Sequence, residues 1–310
     1  MHTVSHSIMF HHFHGSNHHE GQGSIDSQNF REMLVWLSNH YNLLSSDQYL
    51  DYALNDKLSD EDICISFDDA LLCQYDLALP ILNEFNVKAF FFVYSSPFTG
   101  SPELLEIYRH FRNVCFESVE EFYEDFFVEC KEGYIEDLAS IQLEYNKLKY
   151  LGDFKFYSYN DKWFRYLRDK VLGKELYGKI MTDLMQKKSF EPNSVINDLW
   201  LTNEQLAHLS KDGHILGLHS YSHPMQMKEL SYQEQSLEFS KNLEHLSSIV
   251  KGDSIISMSH PCGSYSQETL EILKGLGIKL GFRSNMAVEK INTLLEIPRE
   301  DHSNILKKMG

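Results

Sequence analysis

Short apolar segments alternate with amphipathic helical patterns along much of this 310-residue chain. Residues 63–67, 89–94 and 214–218 are almost wholly apolar, which is typical of parallel strands that are buried on both faces. Residues 26–39 and 237–249 carry apolar side chains at helical spacing. Repeated strand and helix units of this kind predict an α/β fold with a parallel sheet.

The alternation stops between residues 101 and 197, where long aromatic-rich helical patterns carry few strand signals. We therefore expect an inserted helical subdomain at 101–197 and a barrel formed by residues 1–100 and 198–310. The insertion separates the two polar strings described below, so we expect it to act as a lid that selects a short substrate.

Composition excludes several classes of protein. A hydrophobic content of 42% predicts a folded core, and a net charge of −17, with 28 basic against 45 acidic residues, argues against nucleic acid as a partner. The sequence contains no run of eighteen apolar residues, so it predicts no membrane span. The N-terminus lacks a basic region followed by an apolar run, and we therefore expect a cytoplasmic protein. The oligomeric state is not indicated.

Two polar strings follow predicted strands. Asp68 and Asp69 come directly after residues 63–67, and His219 and His223 follow residues 214–218. The carboxyl ends of strands are where an α/β barrel gathers its active site. In a regular strand the two aspartates would point to opposite faces, so both can serve one site only where the strand ends and the backbone turns.

One carboxylate and two imidazoles form an open ligand set that suits a single divalent ion such as zinc, iron or cobalt. Such an ion acidifies a bound water and polarises a carbonyl, while the second carboxylate takes the proton of the water. The two strings therefore predict a metal-dependent hydrolase in which the two aspartates have separate roles.

The strings also resemble a known family. Residues 66–70, Ser-Phe-Asp-Asp-Ala, resemble the T-F-D-D-G signature of the polysaccharide deacetylase family, also called the NodB-homology or carbohydrate esterase family 4 group. Residues 219–224, His-Ser-Tyr-Ser-His-Pro, resemble its H-[ST]-x-x-H-P signature, and residues 259–263 resemble its third motif. The resemblance implies a distorted (β/α) barrel with fewer than eight full strands, and metal-dependent removal of acyl groups from amino sugars or sugar esters.

The resemblance also implies roles for individual residues. Asp68 would be the general base, and Asp69, His219 and His223 would hold one divalent metal, with zinc expected and iron, cobalt, nickel or manganese as alternatives. Cys262 would supply a backbone N–H that stabilises the oxyanion.

The chain departs from the family pattern at the arginine beside the base, at the fourth motif, which has no counterpart in residues 281–285, and at the spacing of the general acid. The arginine that normally opens the third motif and steadies the base is replaced by serine at Ser259 or a neighbouring residue, and either Arg283 or Arg299 could compensate. Arg299 is alternatively a substrate-binding residue. For the general acid we predict His302, with His260 as the rival.

The N-terminal histidines form a further string, His11, His12 and His14. The family often begins with a strand that ends in Tyr-His, which Phe10-His11 and Phe13-His14 resemble. We therefore expect one or two of these histidines to line the cleft.

These observations predict a metal-dependent N-deacylase that acts on an amino sugar. With no export signal, we expect its substrate to be a nucleotide- or lipid-linked precursor of surface polysaccharide. The alternatives are an amidohydrolase or deformylase that acts on another amide, and a glycan-binding relative without catalysis.

Overall fold

A computed structural model describes residues 4–15, 17–101, 104–152, 157–250, 254–288 and 290–310. Contacts divide the chain into two compact units. The first, which we call the barrel unit, contains Met1–Glu103 and Ile196–Gly310. The second, the helical unit, is Leu104–Val195, in the region where the sequence predicts the insertion.

The barrel unit contains a parallel sheet. Its strands are β1 His6–Phe10, β2 Asn42–Leu43, β3 Asp62–Asp68, β4 Phe90–Val93, β5 Ile215–Leu218, β6 Ser257–Ser259, β7 Leu280–Phe282 and β8 Arg299–Asp301. Their order is β7-β6-β5-β4-β3-β1-β8, with β2 beside β3, and every pairing among the described strands is parallel.

The two ends of this sheet nearly meet. Ile297, two residues before β8, pairs with Phe282 of β7, while the Pro298 carbonyl accepts the Ser7 N–H of β1. One short segment therefore contacts both ends of the sheet, and the prediction of a distorted (β/α) barrel is confirmed.

The α-helices are numbered in chain order, and α4 to α8 belong to the helical unit. They are α1 Ser27–His40, α2 Ser46–Leu54, α3 Leu79–Glu84, α4 Leu104–Cys115, α5 Val119–Glu129, α6 Leu138–Tyr145, α7 Tyr159–Tyr166, α8 Gly173–Lys187, α9 Ile196–Leu199, α10 Asn203–Lys211, α11 Tyr232–Ile249, α12 Gln267–Gly275 and α13 His302–Met309. No described helix is long and apolar enough to cross a membrane.

Side-chain caps begin several of these helices. The Asp26 carboxylate accepts the Asn29 N–H at the start of α1, as the sequence predicts. Ser231 accepts the Glu234 N–H at the start of α11, and the Glu234 side chain returns to the Ser231 N–H. Each bond satisfies a backbone donor that has no partner inside the helix.

Aromatic side chains fill both sides of the sheet. Phe90 and Phe92 of β4 lie within 5.2 and 5.3 Å of the Phe282 ring inside the barrel, where Tyr49 of α2 joins the same cluster. Successive strand residues point to opposite faces, so the neighbouring Phe91 lies on the outer side and stacks on Phe67 of β3. The even-numbered residues of β3, which end with Asp68, therefore point into the barrel.

The helical unit has its own aromatic core. Phe122 and Phe126 of α5 pack against Phe164 of α7 with ring centres 5.5 and 4.9 Å apart. The Arg112 guanidinium lies over the Phe122 and Phe164 rings. The acidic residues of α5 alternate with these buried rings, as expected of a helix with one solvated face.

Closure of the barrel makes Gly281 sensitive to substitution. A Cβ at this position would lie 2.7 Å from the Leu295 carbonyl oxygen and 3.0 Å from the Leu295 Cα, both backbone atoms that cannot rotate away. We expect Gly281→Ala to lower the free energy of unfolding by about 1–3 kcal/mol, measured by urea denaturation. Gly275→Ala on α12 is the control. No atom beyond the adjacent backbone of the helix would lie within 4 Å of the added Cβ, so this variant should not destabilise the protein. Equal effects of the two variants would contradict this account.

Candidate active site

The backbone turns sharply at the end of β3. Asp69 has a φ of 76° and Ala70 a φ of 53°, the left-handed region that costs a residue with a side chain about 1–2 kcal/mol. The turn is held because the Asp69 N–H donates to the Phe92 carbonyl and the Ala70 carbonyl accepts the Leu201 N–H, both at 3.0 Å. Asp69 thus leaves the regular alternation of the strand that ends at Asp68, as the sequence analysis required.

A second strained loop follows β5. Ser220 and His223 have φ values of 66° and 53°, and the Ser220 hydroxyl accepts the His223 N–H at 3.1 Å. This compact loop brings two histidines four residues apart to the same side, with ring centres separated by 4.9 Å.

Three potential ligand atoms converge beside this loop. The Asp69 Oδ1 atom lies 3.4 Å from the His219 Nε2 and 3.6 Å from the His223 Nε2. It is buried and has no hydrogen-bond partner among the described residues. A buried carboxylate oxygen between two imidazole nitrogens is poorly satisfied by the protein alone, and it fits a divalent cation.

The second ring nitrogen of His219 is held from outside the cluster. Its Nδ1 lies 3.0 Å from the Ser259 carbonyl and 2.7 Å from the Ser259 hydroxyl. Outer hydrogen bonds of this kind fix the orientation of a ligand histidine, which leaves the His219 Nε2 directed at Asp69.

Electrostatics favour an ionised Asp69. Burial alone would raise the pKa of this carboxyl, but His219 and His223 lower it far below its ordinary value. Burial lowers the pKa of His223, whereas Asp68 and Asp69 together outweigh burial and raise the pKa of His219.

Asp68 has a different set of partners. Its carboxylate accepts two hydrogen bonds from Arg299, at 2.7 and 2.8 Å, and one from the Ser259 hydroxyl at 3.2 Å. Burial would raise the pKa of Asp68, but Arg299 and the nearby histidines lower it to about 2. The group is therefore ionised at neutral pH, the state that a general base requires.

Arg299 is completely enclosed. Its side chain is 1% exposed, and its Nε donates to the Arg283 carbonyl. The Arg299 guanidinium thus lies beside Asp68, where the sequence analysis left Arg283 and Arg299 as alternatives. This position does not support the alternative prediction that Arg299 binds substrate, because its Nη groups donate to Asp68 and the side chain is buried.

His302 lies on the other side of the sheet from Asp68. Its ring stacks on Phe10 at 5.5 Å, and Phe10 packs on Phe30 of α1. The His302 Nε2 lies 3.1 Å from the Gly23 carbonyl. Because Asp68 points into the barrel and His302 belongs to the layer under α1, the structure does not support His302 as the general acid.

His260 is also enclosed. Its ring stacks on Tyr265 at 4.1 Å, and its Nε2 lies 2.9 Å from the Leu295 carbonyl. Burial lowers its pKa to about 3, so the ring is neutral near pH 7 and is a poor proton donor.

His11 lies beside Asp68, whose Oδ2 is also 3.8 Å from the His219 Nε2. His11 directly follows β1, and its Nε2 lies 3.7 Å from the Asp68 Oδ2, with 31% of its side chain exposed. The sequence assigned His11 only to the lining of the cleft, although its place directly after a strand was an available signal. Cys262, the predicted oxyanion residue, is exposed in the turn that follows β6, with a φ of 52°.

Because His260 is buried, we expect the free energy of unfolding to fall in acid. Its folded pKa of about 3 lies below the ordinary value of 6.5, so its contribution to stability is present above pH 6.5 and is lost as pH falls. Between pH 7 and pH 5 we expect this residue alone to cost about 2 kcal/mol of unfolding free energy. His260→Gln should therefore have a flatter dependence of urea-unfolding free energy on pH. His40→Gln, at an exposed histidine of α1, is the control, and an identical slope in wild type and His260→Gln would contradict the account.

Comparison with known proteins links this geometry to a family. The family model described as Polysaccharide deacetylase matches residues 180–281, which include the two histidines and the third motif. Comparison with curated protein sequences finds no match.

Solved structures share the fold over nearly the whole chain. The deacetylase PplD of Streptococcus pyogenes is 16% identical with a TM-score of 0.56, covering 99% of this chain and 98% of its own. IcaB from Ammonifex degensii is 14% identical with a TM-score of 0.55, covering 96% and 91%. A de-N-acetylase from Aggregatibacter actinomycetemcomitans is 14% identical with a TM-score of 0.51, covering 94% of each chain. The matched segment and the shared barrel support the resemblance to the polysaccharide deacetylase family that the motifs carry.

Proposed function

We propose that this protein is a metal-dependent N-deacetylase that removes an acetyl group from an amino sugar of a saccharide. The observation that carries the proposal is the pair of adjacent carboxylates with separate partners: Asp68 is paired with Arg299, and Asp69 converges with His219 and His223. The family description and the fold shared with a de-N-acetylase support the reaction type.

Asp69, His219 and His223 would hold the ion, zinc in the first instance, with iron, cobalt, nickel or manganese as alternatives. A divalent ion bound there would lower the pKa of a water molecule and polarise the amide carbonyl. The Cys262 N–H, in the turn after β6, would contribute to stabilising the oxyanion.

Asp68 would accept the proton of the attacking water. Both oxygens of its carboxylate accept hydrogen bonds from Arg299, which fixes the plane of the group and keeps it ionised. Arg299 is therefore a positioning residue for the base, and it performs the role for which the third motif of the family uses another arginine.

His11 would return a proton to the leaving amine. Its imidazole is close to Asp68 and partly open to solvent, so it can reach a substrate that enters from outside. An amide requires such a donor, because without a proton the nitrogen would have to leave as a strongly basic anion.

The principal test is the release of acetate from N-acetylglucosamine oligomers by the zinc-loaded protein. We expect Asp68→Asn to lower kcat by about 10²–10⁴-fold, because the amide cannot accept the proton. Asp62→Asn, at the other end of β3, is the matched control and should keep its activity. Full activity of Asp68→Asn, or no acetate release by wild type, would contradict the proposed function. Acetylated nucleotide sugars should be assayed as a second set of substrates, because the sequence predicts that the substrate is a nucleotide- or lipid-linked precursor.

Substitutions of His11 and of His302 distinguish the two candidates for the general acid. We expect His11→Gln to lower kcat by about 10²-fold or more, because the proton donor is lost. His302→Gln should leave kcat nearly unchanged, because its ring lies against Phe10 on the outer face of β1. A kcat lowered by His302→Gln and not by His11→Gln would overturn the assignment.

A further inference from the structure

Helix α11 contacts the loop that carries the two histidines. Glu238 and Asn242 are one helical turn apart, so their side chains leave the same face of α11. Both reach residues between His219 and Ser222, and neither belongs to the strings that the sequence analysis singled out.

Asn242 is fully buried and holds the start of the loop. Its Oδ1 accepts the His219 N–H at 2.9 Å, and its Nδ2 donates to the Val93 carbonyl at 2.9 Å and to the Ser95 hydroxyl at 2.6 Å. One amide thus ties the backbone of a potential metal ligand to the end of β4.

Glu238 holds the middle of the same loop. Its carboxylate accepts the backbone N–H groups of Tyr221 and Ser222, at 3.0 and 2.8 Å, and the Ser222 hydroxyl at 2.7 Å. The Tyr221 carbonyl in turn accepts the N–H groups of Ser95 and Ser96. The loop is therefore fixed on one side by α11 and on the other by the residues after β4.

Such support matters because the loop is strained. Ser220 and His223 both adopt left-handed backbone conformations, which persist only where surrounding contacts enforce them. We propose that Asn242 and Glu238 are positioning residues that preorganise His219 and His223 for metal binding. This inference rests on the metal site of the proposed function.

The test compares two buried amides on the same helix. Asn242→Ala removes the contact with His219, whereas Gln235→Ala removes a fully buried amide that bonds to the Leu230 carbonyl and the Thr269 hydroxyl. Both full-length variants lose buried hydrogen bonds, so both should have a lower Tm. Only Asn242→Ala is expected to change the metal site.

The readouts are the Kd for Zn²⁺, measured by competition with a chromophoric chelator, and the visible absorption of the protein loaded with Co²⁺. We expect Asn242→Ala to raise the Kd by about 10–100-fold and to alter the Co²⁺ spectrum, as loss of an outer support of a ligand does. Gln235→Ala should leave the spectrum unchanged and the Kd within about twofold. Equal changes in both variants, or none in either, would overturn the proposal.

Glu238 provides a second test that does not depend on the folding of Asn242→Ala. Glu238→Ala should raise the Kd for Zn²⁺, and Glu238→Gln should restore most of the affinity, because its amide oxygen can still accept the Tyr221 and Ser222 N–H groups. Equal affinities of Glu238→Ala and wild type would contradict the proposal while leaving the proposed function intact. Failure of wild type to bind Zn²⁺ would instead contradict the metal site itself, and both proposals would fall.

Discussion

The buried ion pair between Asp68 and Arg299 links the closure of the barrel to the chemistry of the site. Asp68 ends β3, and Arg299 begins β8 on the far side of β1. The same guanidinium also donates to the Arg283 carbonyl, directly after β7. One side chain therefore joins Asp68 to β7 and β8, the strands at the two ends of the sheet. Removing one partner of a buried pair typically costs about 3–5 kcal/mol, because an uncompensated charge remains.

The ion pair also explains how two adjacent carboxylates come to have different partners. Arg299 and Ser259 hold Asp68, whereas the left-handed backbone at Asp69 turns the second carboxylate toward two histidines. Asp68 is thus occupied by a cation from the protein, and Asp69 remains the carboxylate suited to a bound ion. A general base beside a metal ligand requires two carboxylates with separate partners of this kind.

Local patterns in the sequence predicted the parts of the site that depend on local structure. The apolar strands and the spacing of Asp69, His219 and His223 predicted the cluster that the structure brings together, because each string follows its own strand. The partner of Asp68 could only be narrowed to two arginines, since Arg299 lies 231 residues away and meets it through barrel closure. His302 was predicted as the general acid from the order of the family motifs. Successive strand residues face opposite sides of a sheet, however, and the His302 ring lies against Phe10, away from Asp68.

The location of the ion in a crystal of the zinc-loaded protein tests the central claim most directly. Anomalous scattering at the zinc edge should show one ion about 2.0–2.2 Å from an oxygen of Asp69 and from the Nε2 atoms of His219 and His223. Asp68 should remain outside the coordination shell and paired with Arg299. An ion coordinated by Asp68, or zinc bound elsewhere while this cluster stays empty, would contradict the separation of roles between the two carboxylates.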